Sequence, residues 1–119
     1  MVTPMPEKIM LPRRFPRVPA ENALLVKKMG EESSELLAKT RSVSSGGCMF
    51  VYREPVGVGT AVELLISLPG RVIKAQGRVV WENVVAPGSA EVGVEFLRIA
   101  AEDRRALEAA IATHAAAGT

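Results

Sequence analysis

The sequence predicts an all-β fold with one helix at its C-terminal end. Three observations predict this class: six short apolar segments separated by glycine and proline turns, only five large aromatic residues, and an alanine-rich tail. Val, Leu and Ile must then build the core, which favours strands. Six evenly spaced strands with tight turns are typical of a barrel or a sandwich. A closed barrel also removes the exposed edges that such apolar strands would otherwise present.

The clearest strands lie in the middle of the chain. Over residues 61–68 apolar side chains recur at a period of two, which predicts a strand with one buried face. Pro69-Gly70 then forms a turn into a second strand over 71–82, and the two make an antiparallel hairpin. The same alternation places Trp81 on the core face of the second strand. The other four predicted strands are Leu24 to Lys28, Leu36 to Val43, Cys48 to Tyr52 and Val92 to Leu97.

The tail over residues 101–116 is predicted to be a helix because alanine is a strong helix former. Leu107, Ala110 and Ile111 recur at helical spacing and form a narrow apolar stripe. Asp103 lies in the first turn, where the helix dipole favours an acid. The stripe predicts that the helix packs against the strands.

Length and composition bound the organisation of the chain. Its 119 residues fit one domain, which we place at 13–119, after a flexible N-terminal tail over 1–12 that three prolines interrupt. No segment approaches the roughly 18 consecutive apolar residues of a membrane span, and no secretory signal is present, so no membrane insertion is expected. The single cysteine, Cys48, excludes an internal disulfide and a cysteine-based metal site. A cytoplasmic location is therefore expected.

Residues with catalytic chemistry are scarce. His114 is the only histidine, and Cys48 stands in an apolar run that predicts a buried, inert thiol. No catalytic residues, no metal site and no enzymatic activity are therefore expected. Charge is uneven: the net charge is +2, but residues 1–30 carry six basic and two acidic side chains. A short basic arm on a near-neutral body fits a small anionic ligand better than DNA or RNA.

The first candidate binding feature is a run of three arginines in five residues, Arg13, Arg14 and Arg17. Prolines before, within and after the run prevent a helix, so the segment is extended or turned. Arginine presents a planar fork that bonds to phosphate or to the edge of guanine, and it stacks on rings. The alternative is a basic tail that only aids solubility.

The second feature is the small-residue segment between two predicted strands, over residues 41–47. Ser42, Ser44, Gly46 and Gly47 allow a tight turn and let backbone N–H groups approach an anion. The lysine and the following helix of a Walker loop are missing. The alternative is a plain turn.

In their order and spacing these two features resemble the PilZ domain family, whose members bind the bacterial second messenger cyclic di-GMP. An RxxxR segment is matched by Arg13 and Arg17, and a [D/N]xSxxG segment is matched at Ser44 and Gly47. The similarity continues through Gly-Arg-Val-Val-Trp and Val-Gly-Val-Glu-Phe further along and covers roughly residues 13–110. The resemblance implies a six-stranded antiparallel PilZ-type β-barrel with a C-terminal α-helix.

The resemblance also implies roles. Arg13 and Arg17 would grip guanine edges and phosphates with help from Arg14, while Ser44 and the backbone of Gly46-Gly47 would hold the ligand from the barrel surface. The arm would fold over cyclic di-GMP and signal to a protein partner in motility or biofilm formation. No other cofactor is expected.

One position departs from the family pattern: Ser42 stands where the family has Asp or Asn. Serine reaches about one bond less far, and the lost polar contact corresponds to about 1–3 kcal/mol, or up to about a hundredfold in affinity. A protein–protein adaptor that no longer binds the nucleotide, in motility, pilus or chemosensory assemblies, is therefore the alternative. A small nucleic-acid-binding barrel is a third hypothesis. Such barrels display stacking aromatics on their sheets, whereas this chain has few aromatics and at least Trp81 and Phe96 are predicted to face the core.

Overall fold

The computed structural model of the protein describes residues 18–30 and 34–117. Seven strands and one helix lie in this part of the chain. The elements are β1 (Val18–Pro19), β2 (Ala23–Lys28), β3 (Glu35–Ser44), β4 (Gly47–Tyr52), β5 (Ala61–Leu68), β6 (Arg71–Ala86), β7 (Ser89–Ile99) and α1 (Ala101–Ala117).

Six of the strands close into an antiparallel barrel. Around the ring the order is β3, β2, β5, β6, β7 and β4, and the pairing of β4 with β3 closes it. The additional two-residue strand, β1, pairs with the C-terminal half of β3 beside β2. The predicted six-stranded antiparallel barrel with a C-terminal helix is confirmed, and the sandwich is excluded.

The barrel core is made by the alternation that the sequence predicts. On β5 Val62, Leu64 and Ile66 are fully buried, while the residues between them are partly exposed. Phe50 on β4 is the largest fully buried side chain of the described residues. Because the bore of a small barrel is filled by side chains, this core leaves the outer face and the two ends as places for ligands.

The position of Trp81 differs from the prediction. A register shift between β6 and β7 separates the pair Val79–Val94 from the pair Trp81–Gly93. Val79 is buried in the core, whereas Trp81 is half-buried and lies over Gly93, where an added Cβ would meet its indole. Gly93 stands between two inward-facing valines and therefore faces outward. The bulge thus moves Trp81 from the core face to the outer face of the barrel.

The β6–β7 hairpin is longer than predicted. β6 continues to Ala86 rather than ending at residue 82, and β7 already begins at Ser89. The carboxylate of Glu82 accepts hydrogen bonds from the backbone N–H groups of Val56 and Gly57. This side chain therefore ties the loop before β5 to the end of the barrel from which the β6–β7 hairpin projects.

Helix α1 covers the other end of the barrel. Leu107 is fully buried and Ile111 is nearly so, and both belong to the barrel core. Asp103 fixes the start of the helix, because its carboxylate accepts hydrogen bonds from the Arg71 guanidinium at 2.9 and 3.1 Å and from the Lys74 backbone N–H at 3.2 Å. The predicted packing of the helix against the strands is confirmed, while the side chain of His114 lies outside the described residues.

Asp103 should make stability depend on acid pH. Its backbone hydrogen bond from Lys74, together with the bonds and charge of Arg71, lowers its pKa, although burial acts in the opposite direction. A carboxyl whose pKa is lower in the folded state stabilises the fold above its unfolded pKa of about 3.9, and this contribution is lost as pH falls through the folded value. We expect D103N to lose about 1–2 kcal/mol at neutral pH and distinctly less at pH 3, as measured by urea unfolding. E102Q is the control, because Glu102 is exposed and only approaches Arg71 at 3.9 Å. An equal loss for D103N at both pH values would contradict the assignment.

Candidate functional site

The small-residue segment predicted as a binding turn joins β3 to β4. The last two outward-facing positions of β3 are Ser42 and Ser44, since Val43 between them is buried in the core. Ser44 pairs with Gly47, the first residue of β4, and Ser45 and Gly46 make the two-residue turn. The structure therefore brings four of the predicted site residues together on one corner of the outer barrel face.

Hydrogen bonds fix the conformation of this turn. The Ser44 hydroxyl accepts a bond from the Gly46 N–H at 3.2 Å and donates to the Gly47 carbonyl at 3.3 Å. The Gly46 carbonyl accepts from the backbone N–H of Phe96 in β7 at 2.8 Å. The Ser45 carbonyl accepts from the guanidinium of Arg104 in α1 at 2.6 Å. The turn is thus held by its own serine, by a neighbouring strand and by the helix.

Gly47 is required by the packing of β4 against β7. A Cβ at this position would lie far inside van der Waals contact of the Val94 carbonyl oxygen on β7. β4 and β7 are paired along the whole of β4, from Gly47–Glu95 to Tyr52–Ala90. The glycine therefore permits the close approach of two backbones directly beneath the turn.

The N-terminal segment enters the barrel beside this turn. Val18 pairs with Val43 and Pro19 pairs with Ser42, so β1 runs along β3 next to the candidate site. The buried hydroxyl of Thr40 fixes the connection that follows, since it donates to the Ala20 carbonyl at 2.6 Å and accepts from the Asn22 N–H at 2.9 Å. The residues that connect β1 to β2 are therefore held by a buried side chain of β3. Arg13, Arg14 and Arg17 themselves lie outside the described residues.

Two residues of this face were not predicted from the sequence. One outward row of cross-strand partners runs from Ser42 through Met49 and Gly93 to Trp81. Met49 and Trp81 are both half-buried, so they present apolar and aromatic surface next to the serines. Only the cross-strand register reveals this row, because the bulge before Trp81 has no signature in its own strand.

A groove of about 710 Å³ lies near the site but on its inner side. It runs between α1 and the end of the barrel, and Val43 lines it while the neighbouring Ser42 and Ser44 face outward. Alanines of α1 make much of its wall, with Arg71 and Glu21 among its polar lining residues. The four predicted ligand residues of the β3–β4 segment therefore lie on the outer face of the barrel, apart from this groove.

Cys48 is buried, and burial raises the pKa of its thiol to about 12, so the thiolate needed for nucleophilic chemistry is not formed near neutral pH. Among residues 18–30 and 34–117 no cluster of His, Cys, Asp and Glu could hold a metal ion. Within the same residues no helix has the length and apolar character needed to cross a membrane.

The sequence as a whole matches the profile of the PilZ domain over residues 12–113. The chain belongs to the PilZ family. The match includes the arginines of the N-terminal arm and the β3–β4 turn, so both halves of the candidate site fall within the PilZ domain. No curated protein matches the sequence.

Solved structures, two of them PilZ domains, share the fold. The PilZ domain of YcgR from Escherichia coli with c-di-GMP is 15% identical, with a TM-score of 0.67 over 91% of this chain and 95% of that one. The PilZ domain of CeSA from a cellulose-synthesizing bacterium is 16% identical, with a TM-score of 0.62 over 82% and 97%. The Bacillus subtilis inhibitor of motility, MotI/DgrA, is 22% identical, with a TM-score of 0.71 over 82% of this chain. The chain spans only about half of MotI, 48% of its length.

Proposed function

We propose that this PilZ domain is a bacterial, cytoplasmic receptor for cyclic di-GMP that acts on a protein partner and catalyses no reaction. Membership of the family supports the ligand, and the YcgR domain of the same fold has been solved with c-di-GMP. Identity to that domain is low, so the proposal depends on the residues of this chain.

The observation that carries the proposal is the pairing of β1 with β3. Because Val18 lies opposite Val43, it stands beside the part of β3 that carries the two outward serines of the candidate site. Arg17 precedes Val18 in the sequence, and five residues span at most about 17 Å, so Arg13 lies within that distance of Val18. Both arginines can therefore reach a ligand bound against Ser44 and the β3–β4 turn.

The residue types match the chemistry of the ligand. Cyclic di-GMP carries two phosphates and two guanines, and arginine forks bond bidentately to both groups. In the proposal Arg13 and Arg17 take phosphates and guanine edges, Arg14 stacks or adds charge, and Ser44 offers a hydroxyl from the rigid barrel. The backbone of Gly46-Gly47 lets the ligand approach closely. Closing of the arm over the nucleotide then changes the surface that a partner protein meets.

Calorimetric titration with cyclic di-GMP tests the proposal, with GTP and GMP as ligand controls. We expect saturable binding that R13A/R17A weakens by at least about a hundredfold, since each lost charged hydrogen bond contributes about 1.5–3 kcal/mol. S44A should weaken binding by up to about tenfold. Trp81 is the only tryptophan, so its fluorescence gives a second readout from the same outer face.

A charge-matched control separates the site from a general electrostatic effect. K39A/R53A also removes two exposed positive charges, one from the middle of β3 and one directly after β4, both away from the turn. This variant should bind cyclic di-GMP like the unaltered protein. If R13A/R17A and K39A/R53A weakened binding equally, the arginine arm would not be the binding element.

A second function, a PilZ adaptor that acts without the nucleotide, is favoured by Ser42. Its hydroxyl stands on the outer face beside Ser44, where the family pattern has an acid or amide. Exposed valines of the projecting hairpin, Val84 and Val85, add apolar surface for a protein contact. S42N distinguishes the two functions: binding by S42N but not by the unaltered chain identifies a receptor site disabled at one residue. Binding by neither protein favours the adaptor.

A further inference from the structure

The structure assigns a positioning role to Arg104, which couples helix α1 to the proposed cyclic di-GMP site through Ser44. This inference rests on the proposed function for its ligand but on the described residues for its geometry. Arg104 does not stand in either sequence motif, and it is separated from the turn by 59 residues of chain.

The coupling passes through one peptide unit. The Arg104 guanidinium donates to the Ser45 carbonyl at 2.6 Å, and the N–H of the same peptide, that of Gly46, donates to the Ser44 hydroxyl at 3.2 Å. A trans peptide is planar, so its C=O and N–H point in opposite directions. Holding the carbonyl toward α1 therefore holds the N–H toward Ser44.

This arrangement determines what Ser44 can offer to a ligand. The Ser44 hydroxyl accepts a hydrogen bond from the Gly46 N–H and donates one to the Gly47 carbonyl. These two bonds hold the hydroxyl in one orientation on the outer face. Ser45 is buried, so without Arg104 its carbonyl would lack both a protein donor and free access to water. The peptide would then rotate toward another donor, and the orientation of Ser44 would be lost.

The helix end of the contact is equally well fixed. Arg104 follows Asp103, whose carboxylate accepts hydrogen bonds from Arg71 and from the Lys74 backbone. The backbone N–H of Arg104 donates to the Ala100 carbonyl at 2.9 Å. A guanidinium on a docked helix is a pre-organised donor. By thermodynamic reciprocity, a ligand that needs the ordered turn must also stabilise the docking of α1. The helix thereby becomes an element that senses occupancy of the site.

The first experiment needs no ligand and compares R104A with R105A, a matched loss of an exposed arginine at the next helical position. Amide hydrogen exchange at Gly46, followed by NMR, should accelerate about tenfold in R104A and stay unchanged in R105A. R104K should restore much of the protection, because lysine can also donate to the carbonyl. Unchanged exchange at Gly46 in a folded R104A overturns the inference, whether or not the domain binds a nucleotide.

The second experiment uses cyclic di-GMP. R104A should weaken binding about tenfold and R105A not at all. In an S44A background the R104A effect should largely disappear, since both changes remove the same interaction. Additive losses would show that Arg104 acts by another route and overturn the coupling through Ser44. If the unaltered domain fails to bind, the proposed function fails, while the exchange of Gly46 still decides the positioning role.

Discussion

Replacing Gly47 with alanine is expected to destabilise the barrel by about 3 kcal/mol, the upper part of the usual range for overpacking. The added Cβ would collide with the Val94 carbonyl, which belongs to the backbone of β7 and cannot rotate away. Relief requires β4 to move off β7 along a six-residue pairing that closes one side of the barrel. Urea unfolding followed by far-UV circular dichroism measures the loss as a lower midpoint.

The S44A variant is the control for this prediction, because it alters the same turn without adding an atom. It should lose no more than about 1 kcal/mol, from two long hydrogen bonds. Equal midpoints for G47A and the unaltered protein would show that β4 and β7 can separate easily. Loss of nucleotide binding by G47A would report a damaged barrel, so Ser44 is the better position at which to test a ligand contact.

The strands were predictable wherever one face is buried and the other is not. β5 shows this best, because Val62, Leu64 and Ile66 are buried while their neighbours are not, and because Gly70 at the following turn has a positive φ of 79°. Strand ends were less predictable. β6 extends to Ala86 as half of a projecting hairpin, where pairing with β7 rather than burial maintains the strand.

The face on which Trp81 lies could not be read from its own strand. Alternation along β6 holds up to Val79 and then fails, because the bulge depends on how β6 aligns with β7. An extra residue on one strand shifts every later side chain to the other face. The outer row from Ser42 to Trp81 is therefore a property of cross-strand register, which local periodicity does not contain.

The residues of the candidate site also differ in whether the sequence predicts them. The turn itself was predictable, because serines and glycines between two apolar runs indicate a tight connection. Arg104 was not, since its partner is a backbone carbonyl, and any residue can supply a carbonyl. Sequence identifies side chains with distinctive chemistry, whereas contacts to the backbone across 59 residues require the fold.

Replacing Leu107 with alanine is expected to be the other large effect, about 2–5 kcal/mol of lost stability. Leu107 is fully buried where α1 covers the end of the barrel, so its removal leaves a cavity at the junction of helix and strands. For a domain of this size a loss of about 3 kcal/mol lowers the melting temperature by on the order of 10–15 °C. Thermal unfolding followed by circular dichroism measures it.

The neighbouring variant E108A is the control, because Glu108 is exposed and alanine retains helix propensity. Its melting temperature should stay within a few degrees of the unaltered protein. If L107A also melted unchanged, α1 would be peripheral and the barrel would be stable without it. A large loss for L107A means instead that helix and barrel share one core. The Arg104 contact to the turn is then made from a rigid base, and displacing α1 must disturb Ser44.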